Sequence, residues 1–397
     1  MPEQPSLDRS SEVVGPRLAG LVDLHRNGAT RRELRAAQYD AGLAWVWFPI
    51  GCGGLDLAPE VQDLIDETLT AAGVEPHDET SGIALAMSAP TIVAHGTDAQ
   101  RQQHLKAIFT GDEVWCQLFS EPGSGSDLAG LATRAVQDGD DWVLNGQKVW
   151  TSYAHLADWA LVLARHDPEL PKHAGLTYFA VDMRSEGIEL RGLREMTGEG
   201  QFSEVFLTDV RIPDRQRVGA VGEGWRVSLA TLASERVGRG EPLGGGAINA
   251  AMEIWKQRKL TDPGQRSELM DLWVASEAYR LLGLRGYELR EAGTPGPEGS
   301  LAKLASAELG QRIFSFCMNL LGAEGMLFPG GFEPEGIARG QHLAGRRPEW
   351  MFLRSLGFTI EGGTAQIQRN VIAERILGLP SDSRSERTTP WSQIPRS

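Results

Sequence analysis

The chain has 397 residues, 41% hydrophobic and 23% charged, with a formal net charge of −14. That length can bury a large core over two or three domains, and the composition is ordinary for a globular protein. The acidic balance argues against a nucleic-acid partner whose phosphates need neutralising, yet leaves room for a nucleotide-like ligand held by backbone amides and local arginines.

Cys52, Cys116 and Cys317 are few, odd in number and far apart. They fit neither a disulfide framework nor a metal site, which points to a reducing cytoplasm. The opening "MPEQPSLDRSSE" has no apolar run, so no signal peptide is expected. Nor does any apolar run approach the roughly 18 residues that cross a bilayer. A soluble, cytoplasmic protein with no membrane partner is the expectation.

Residues 1–112 read as a helical domain. "PSLDRSSEVVGPRLAGLVDL" and "RRELRAAQYDAGLAWVWF" carry apolar residues three and four apart. "PEVQDLIDETLTAAG" follows, with Pro59 at a first-turn position. "SAPTIVAHG" and "DAQRQQHLKAIFTG" complete the set, the second closed by Gly111 as a C-cap. Residues 113–220 change to short β-rich runs, broken by Asp138-Gly139 and Asn145-Gly146, both hairpin signals. A compact antiparallel domain is predicted there.

Helix returns over 221–380. "GWRVSLATLASERVG" sets Trp225, Leu229, Leu232 and Arg236 on one predicted face. Further helices are predicted near 264–291, 299–322 and 364–377. The tail 381–397, "SDSRSERTTPWSQIPRS", is polar and expected to be mobile. The predicted fold class is therefore mostly α with a middle β domain.

Four stretches could carry chemistry. In "CQLFSEPGSGSDLAG" a strand ends at Ser120-Glu121, Pro122 turns the chain, and Gly123 to Ser126 offer open amides and hydroxyls. Such a loop suits a heterocycle or phosphate approaching the backbone, or is a plain connection. Asp127 reads as a turn or cap residue. In "NGQKVWTS" an indole and two hydroxyls end a strand, where they could flank an aromatic cofactor or simply be core. "NLLGAEGM" has Gly322 and Gly325 interrupting an apolar helix, which a C-cap explains equally well. The last is "TIEGGTAQIQRNVIAERILGLP". The eight histidines form no metal-ligand spacing, and no P-loop or dinucleotide fingerprint is present.

Together and in this order, these stretches resemble the acyl-CoA dehydrogenase family of flavoenzymes. "FSEPGSGSD", "GQKVWTS" and "GGTAQIQRNVIAERILG" match its three signatures, and the likeness covers nearly the whole chain. "WCQLFSEPG", "GLREMTGEGQF" and "GEGWRV" look like a bacterial branch acting on bulky CoA thioesters. The resemblance implies an acyl-CoA dehydrogenase fold, with a helical domain, a β domain and a C-terminal helical bundle. It also implies FAD held non-covalently between sheet and bundle.

Gln117, Phe119 and Ser120 would line the flavin ring, with Trp150 and Thr151 against its other side and Ser152 at its N5/O4 edge. Gly125 and Ser126 would position flavin or thioester, and Thr364 and Gln366 would make further flavin contacts. Asn319, Leu321, Gly322 and Ala323 fall where a neighbouring subunit holds the ADP half, although the family prefers Gln and two glycines there. "KQRKLTDPGQR" stands in place of the usual Arg-x-x-Phe-Gly, which puts pyrophosphate contacts from Arg258 or Lys259 in question.

The implied reaction oxidises the Cα–Cβ bond of an acyl-CoA to a trans-enoyl-CoA. A carboxylate takes the α-proton while the β-hydrogen leaves as hydride to the flavin. The usual base precedes Gly-Thr in the last signature, but here that residue is Gly362. Glu361 lies one position early, which redirects a side chain. A second branch carries the base on the first C-terminal helix before an Arg, and there stand Glu235 and Arg236. Glu235 is the expected base, Arg236 its ionising neighbour, and the Gly362 N–H a donor to the thioester oxygen.

A side chain missing at 362 widens the pocket, suggesting a branched or ring-bearing acyl group such as a sterol or other polycyclic side chain. Electron-transfer flavoprotein is the implied acceptor, and a homotetramer, dimer or α2β2 assembly with a related chain the implied assembly. The rivals are a non-catalytic or FAD-sharing subunit, and a flavin monooxygenase or oxidase on the same fold.

Overall fold

Five helices open the chain: α1 (Leu7–Arg26), α2 (Arg31–Asp40), α3 (Val61–Ala71), α4 (Ala89–His95) and α5 (Asp98–Thr110). Residues 7–235, 243–291, 296, 298–327, 347–380 and 388–395 are described by this computed structural model. Two helices start at capping boxes, Thr30 with Glu33 and Thr97 with Gln100, which satisfy otherwise orphaned amides. Gly111 ends α5 at φ 82°, as predicted. Val14, Leu18, Leu34, Val61 and Ile65 form a core among the first three helices. Each such buried side chain contributes about 1.5–3 kcal/mol.

Seven strands follow: β1 (Trp115–Leu118), β2 (Arg134–Asp138), β3 (Asp141–Ser152), β4 (Trp159–Arg165), β5 (Leu176–Asp182), β6 (Ile188–Leu193) and β7 (Phe202–Pro213). The order is β1-β4-β2-β3-β7-β6, with β5 also on β4. The sheet is not purely antiparallel. β1 pairs β4 in parallel from Trp115↔Trp159 to Leu118↔Val162, and Arg134↔Arg165 is a second parallel pairing. Local turn signals reveal only neighbours in sequence, so a partner some forty residues away leaves no such trace.

Asp138-Gly139 is a hairpin turn, closed by Asp138↔Asp141 with Gly139 at φ 63°. Asn145-Gly146 is not. It lies inside β3 at a register shift against β7. The Asn145 amide donates to Asp209 Oδ1 at 3.0 Å and its Oδ1 accepts from the Asp209 N–H. A Cβ at Gly146 would sit 2.7 Å from Thr133 Cα. The glycine is there for close approach, not for a turn.

The bundle comprises α6 (Gly224–Glu235), α7 (Leu243–Arg258), α8 (Pro263–Glu291), α9 (Glu298–Leu321), α10 (Pro348–Phe358) and α11 (Ala365–Arg375). α7 and α10 lie outside the helices expected from the sequence; Pro348 stands in the first turn of α10, where its missing N–H costs nothing. Ile248, Leu272, Ile313, Phe316 and Trp350 make the bundle's core. Among the described residues no helix is long and apolar enough to cross a membrane. The tail departs from the expectation of mobility: Trp391 is 8% exposed and packs onto the β domain.

Candidate active site

The first two motifs meet through a buried ion pair. Lys148, fully buried in β3, donates to Glu121 Oε1 at 2.9 Å, Phe119 O at 3.0 Å and Leu163 O at 2.8 Å. All three ammonium donors are thus satisfied. Glu121 accepts the N–H groups of Ala132 at 2.7 Å and Thr133 at 2.9 Å. Burial pushes the Glu121 carboxyl up, but Lys148, Thr133 and Ala132 outweigh it and hold it below the usual carboxylate range. Burial also draws the Lys148 ammonium down, with Glu121 opposing. The pair pins both ends of the glycine loop beside β3, and the Val149 N–H to Ser120 O bond at 2.9 Å completes the join.

Beyond Lys148 the β3–β7 register slips again, between Lys148 and Thr151. Trp150 sits in that slip at φ 61° and is 61% exposed. A bulky residue at positive φ is strained, and strain of this kind gathers at ligand sites. Next to it, the Thr151 hydroxyl is buried with no protein partner. An open indole beside an orphaned hydroxyl fits a planar, polar-edged ring such as a flavin. Gln117 on β1, Ser152 on β3 and Ser120 just past the end of β1 are half-buried, and Gly125 and Ser126 are exposed on the loop. Phe119 instead lies 5% exposed in the core, edge-on to Tyr178.

The C-terminal signature reaches Trp150 through two residues that sequence reading missed. Trp150 packs edge-on against Phe202, with centroids 5.9 Å apart. The Arg354 guanidinium lies 5.9 Å from that ring and 2.6 Å from Glu361. Glu361 is thereby tied to Arg354. Half-buried Glu195 is close by, its carboxyl raised by burial although Arg354 opposes this. Gly362 and Gly363 turn the chain at φ 60° and 94°, and Thr364 caps α11 by accepting the Ile367 N–H. Gln366 is exposed on that helix, whereas Gln368 is buried with its Nε2 toward Gly362 O at 3.4 Å.

α6 buries Val227, Ser228 and Thr231, while Leu229 is 48% exposed. Of the predicted Trp225–Leu229–Leu232 face, Trp225 and Leu232 are partly buried against the core, while Leu229 turns to the surface. The reason is that buried hydroxyls replace apolar groups. Ser228 bonds Trp225 O, and Thr231 bonds Thr91 at 2.8 Å and Tyr178 at 2.9 Å. Glu235 is the last residue of α6, four positions after Thr231. Arg236 lies outside the described residues.

Asn319, Gly322 and Ala323 are exposed at the end of α9. Asn319 and Gly322 line a groove of about 480 Å³ with Glu349, Phe352 and Leu353. Arg258 donates to Leu321 O at 3.1 Å and pairs with Glu324, so it is engaged as a helix-end cap. Asp127 precedes a short 3-10 turn without a side-chain cap bond and pairs instead with Lys172 at 3.0 Å. A partner for Lys148 could have been sought in sequence, since both charges lie within quoted motifs. Phe202 and Arg354 gave no such signal.

Residues 116–210 match the family described as "Acyl-CoA dehydrogenase, middle domain", and 222–377 match "Acyl-CoA dehydrogenase, C-terminal domain". The chain is 41% identical over 376 residues to acyl-CoA dehydrogenase FadE34 of Mycobacterium tuberculosis. That alignment covers 93% of this chain and 49% of FadE34, so the chain spans about half that relative's length. A solved structure titled "Tcur3481-Tcur3483 steroid ACAD" superposes with TM-score 0.73 at 27% identity, covering 96% of this chain and all of that one. The ChsE4-ChsE5 complex from Mycobacterium tuberculosis gives 0.70 at 30% identity, with 96% and 100% covered.

Proposed function

The chain belongs to the acyl-CoA dehydrogenase family of flavin-dependent oxidoreductases, and from that premise we propose that it oxidises a bulky acyl-CoA at the Cα–Cβ bond using FAD. The observation that carries this reading is Trp150, held open at positive φ and linked through Phe202 and Arg354 to the turn at Gly362. That linkage joins the sheet motif to the C-terminal motif through side-chain contacts. When bound, FAD supplies the acceptor for the β-hydrogen.

The chain's own residues do the rest. Trp150 and the Thr151 and Ser152 hydroxyls orient the ring, with Gln117, Ser120, Thr364 and Gln366 as further contacts. Phe119 supports that wall from the core. Gly125 and Ser126 face the thioester or the phosphates. The Gly362 N–H polarises the thioester oxygen, which makes the α-proton acidic enough for a carboxylate. Glu235 takes that proton, with Arg236 keeping it ionised. Its position four residues after Thr231 on the backbone of α6 supports this, and the tie between Glu361 and Arg354 argues against Glu361.

For the acyl group we favour a polycyclic, steroid-type thioester, given the missing side chain at 362 and a structural relative named as a steroid enzyme. Asn319, Gly322 and Ala323 would then serve a neighbouring subunit's FAD, and electrons would pass to an electron-transfer flavoprotein in the cytosol. A structural relative is a complex of two named proteins, which supports an α2β2 assembly over a homotetramer. Arg258, engaged with Glu324, favours the alternative that this chain shares another subunit's FAD.

Anaerobic bleaching of the flavin by a panel of thioesters tests the reading on wild type and Glu235→Gln. The variant should keep its flavin and bleach at least about a hundredfold more slowly. Equal rates would remove Glu235 as the base, and a colourless wild type would remove the FAD reading.

A further inference from the structure

We propose that Trp391 is a positioning residue for the glycine loop 121–131, so that the C-terminal tail tunes how tightly the cofactor is held. The inference rests on the reading that this loop serves FAD. Trp391 donates its indole N–H to Gly130 O at 3.0 Å and lies under the Arg165 guanidinium, 4.2 Å from its ring centroid. The tail is anchored on either side of it. The Trp391 N–H donates to Leu170 O at 3.0 Å, the Ser392 N–H to Pro168 O at 2.9 Å, and Pro390 bridges Pro171.

Arg165 is the hub. Itself 2% exposed, it donates to Ala129 O at 2.6 Å, Leu131 O at 3.0 Å and Lys172 O at 3.2 Å. Three consecutive carbonyls of the loop, at 129, 130 and 131, are therefore collected by one arginine and one indole. A stacked guanidinium is held flat, so its fork stays aimed at the two carbonyls that flank Gly130. Lys172 extends the clamp, since its ammonium pairs with Asp127 at 3.0 Å. The other end of the loop is fixed at Glu121 by Lys148. Between these two anchors Gly123, Gly125 and Ser126 stand exposed. Releasing the Trp391 anchor frees one end of an otherwise taut loop.

The test uses the full-length protein with its flavin, comparing Trp391→Ala, Trp391→Phe and wild type. FAD binding should be about tenfold weaker or more in Trp391→Ala, read as a raised dissociation constant. The catalytic constant at saturating FAD should stay within about twofold. Amides of residues 121–131 should exchange hydrogen faster in the apo-protein. Trp391→Phe keeps the ring under Arg165 and should recover most of the affinity. Unchanged FAD affinity and unchanged exchange in Trp391→Ala would overturn the proposal, as would a lowered melting point with unaltered flavin affinity. A wild type that binds no FAD, but whose loop exchange still responds to Trp391→Ala, would sink the FAD reading and leave the clamp standing.

Discussion

Lys148 Nζ lies 2.9 Å from Glu121 Oε1 with both side chains out of solvent, joining two motifs 27 residues apart in the chain. Removing one member leaves the other charge buried alone. Lys148→Met should therefore destabilise the protein by about 3–5 kcal/mol. The double variant Lys148→Met/Glu121→Gln should cost less than the sum of the two singles. Urea unfolding of all four proteins measures both, and strict additivity would show that the pair is not coupled.

Trp150 combines strain with exposure. Trp150→Gly relieves about 1–3 kcal/mol of backbone strain. It loses about 0.5–1.5 kcal/mol of edge-on packing on Phe202, and glycine adds an entropic cost of about 0.5–1 kcal/mol. These nearly cancel, so the apo-protein should unfold within about 1 kcal/mol of wild type while flavin affinity drops. A large loss of apo stability would make Trp150 a core residue instead.

Gly362 at φ 60° leaves no comfortable place for a Cβ. Gly362→Ala should cost about 1 kcal/mol or more from the left-handed backbone alone. With a methyl added to the pocket, bleaching by polycyclic thioesters should slow more than bleaching by butyryl-CoA. A uniform change across the panel would contradict the proposed role of 362 in fitting bulky acyl groups.

His77 packs against Phe109 with its Nδ1 buried and unpartnered. Burial, then Arg35 and Arg31, lower it to about 3, with Asp78 opposing. Between pH 6.5 and 3 the unfolded chain takes up a proton that the folded one refuses. The stabilisation is thus complete above about pH 6.5 and is lost as pH falls toward 3. At pH 5 the loss is at most about 2 kcal/mol. His77→Gln should flatten that part of the stability profile. An NMR titration in which the folded His77 protonates near pH 6.5 would refute the assignment.

Legibility differed from element to element. The αL glycine at 111 and the Asp138-Gly139 hairpin were readable because each is decided by residues three or four apart. Asn145-Gly146 carries the same dipeptide signal, yet it lies within β3, because Asp209 and Thr133 approach it from distant parts of the chain. The α6 stripe was misread at Leu229 because Ser228 and Thr231 are buried instead, the first bonding Trp225 O and the second meeting Thr91 and Tyr178.

The sequence by itself determined the order of helix, sheet and helix, and the family. Those depend on local periodicity and on residue types that a flavin loop requires. Only the tertiary structure decided that Lys148 holds Glu121, that Arg354 ties down Glu361, and that a polar tail ends in a buried tryptophan. Each is a contact between remote segments, and a charge or an indole shows its partner only after the chain has folded and excluded water around both.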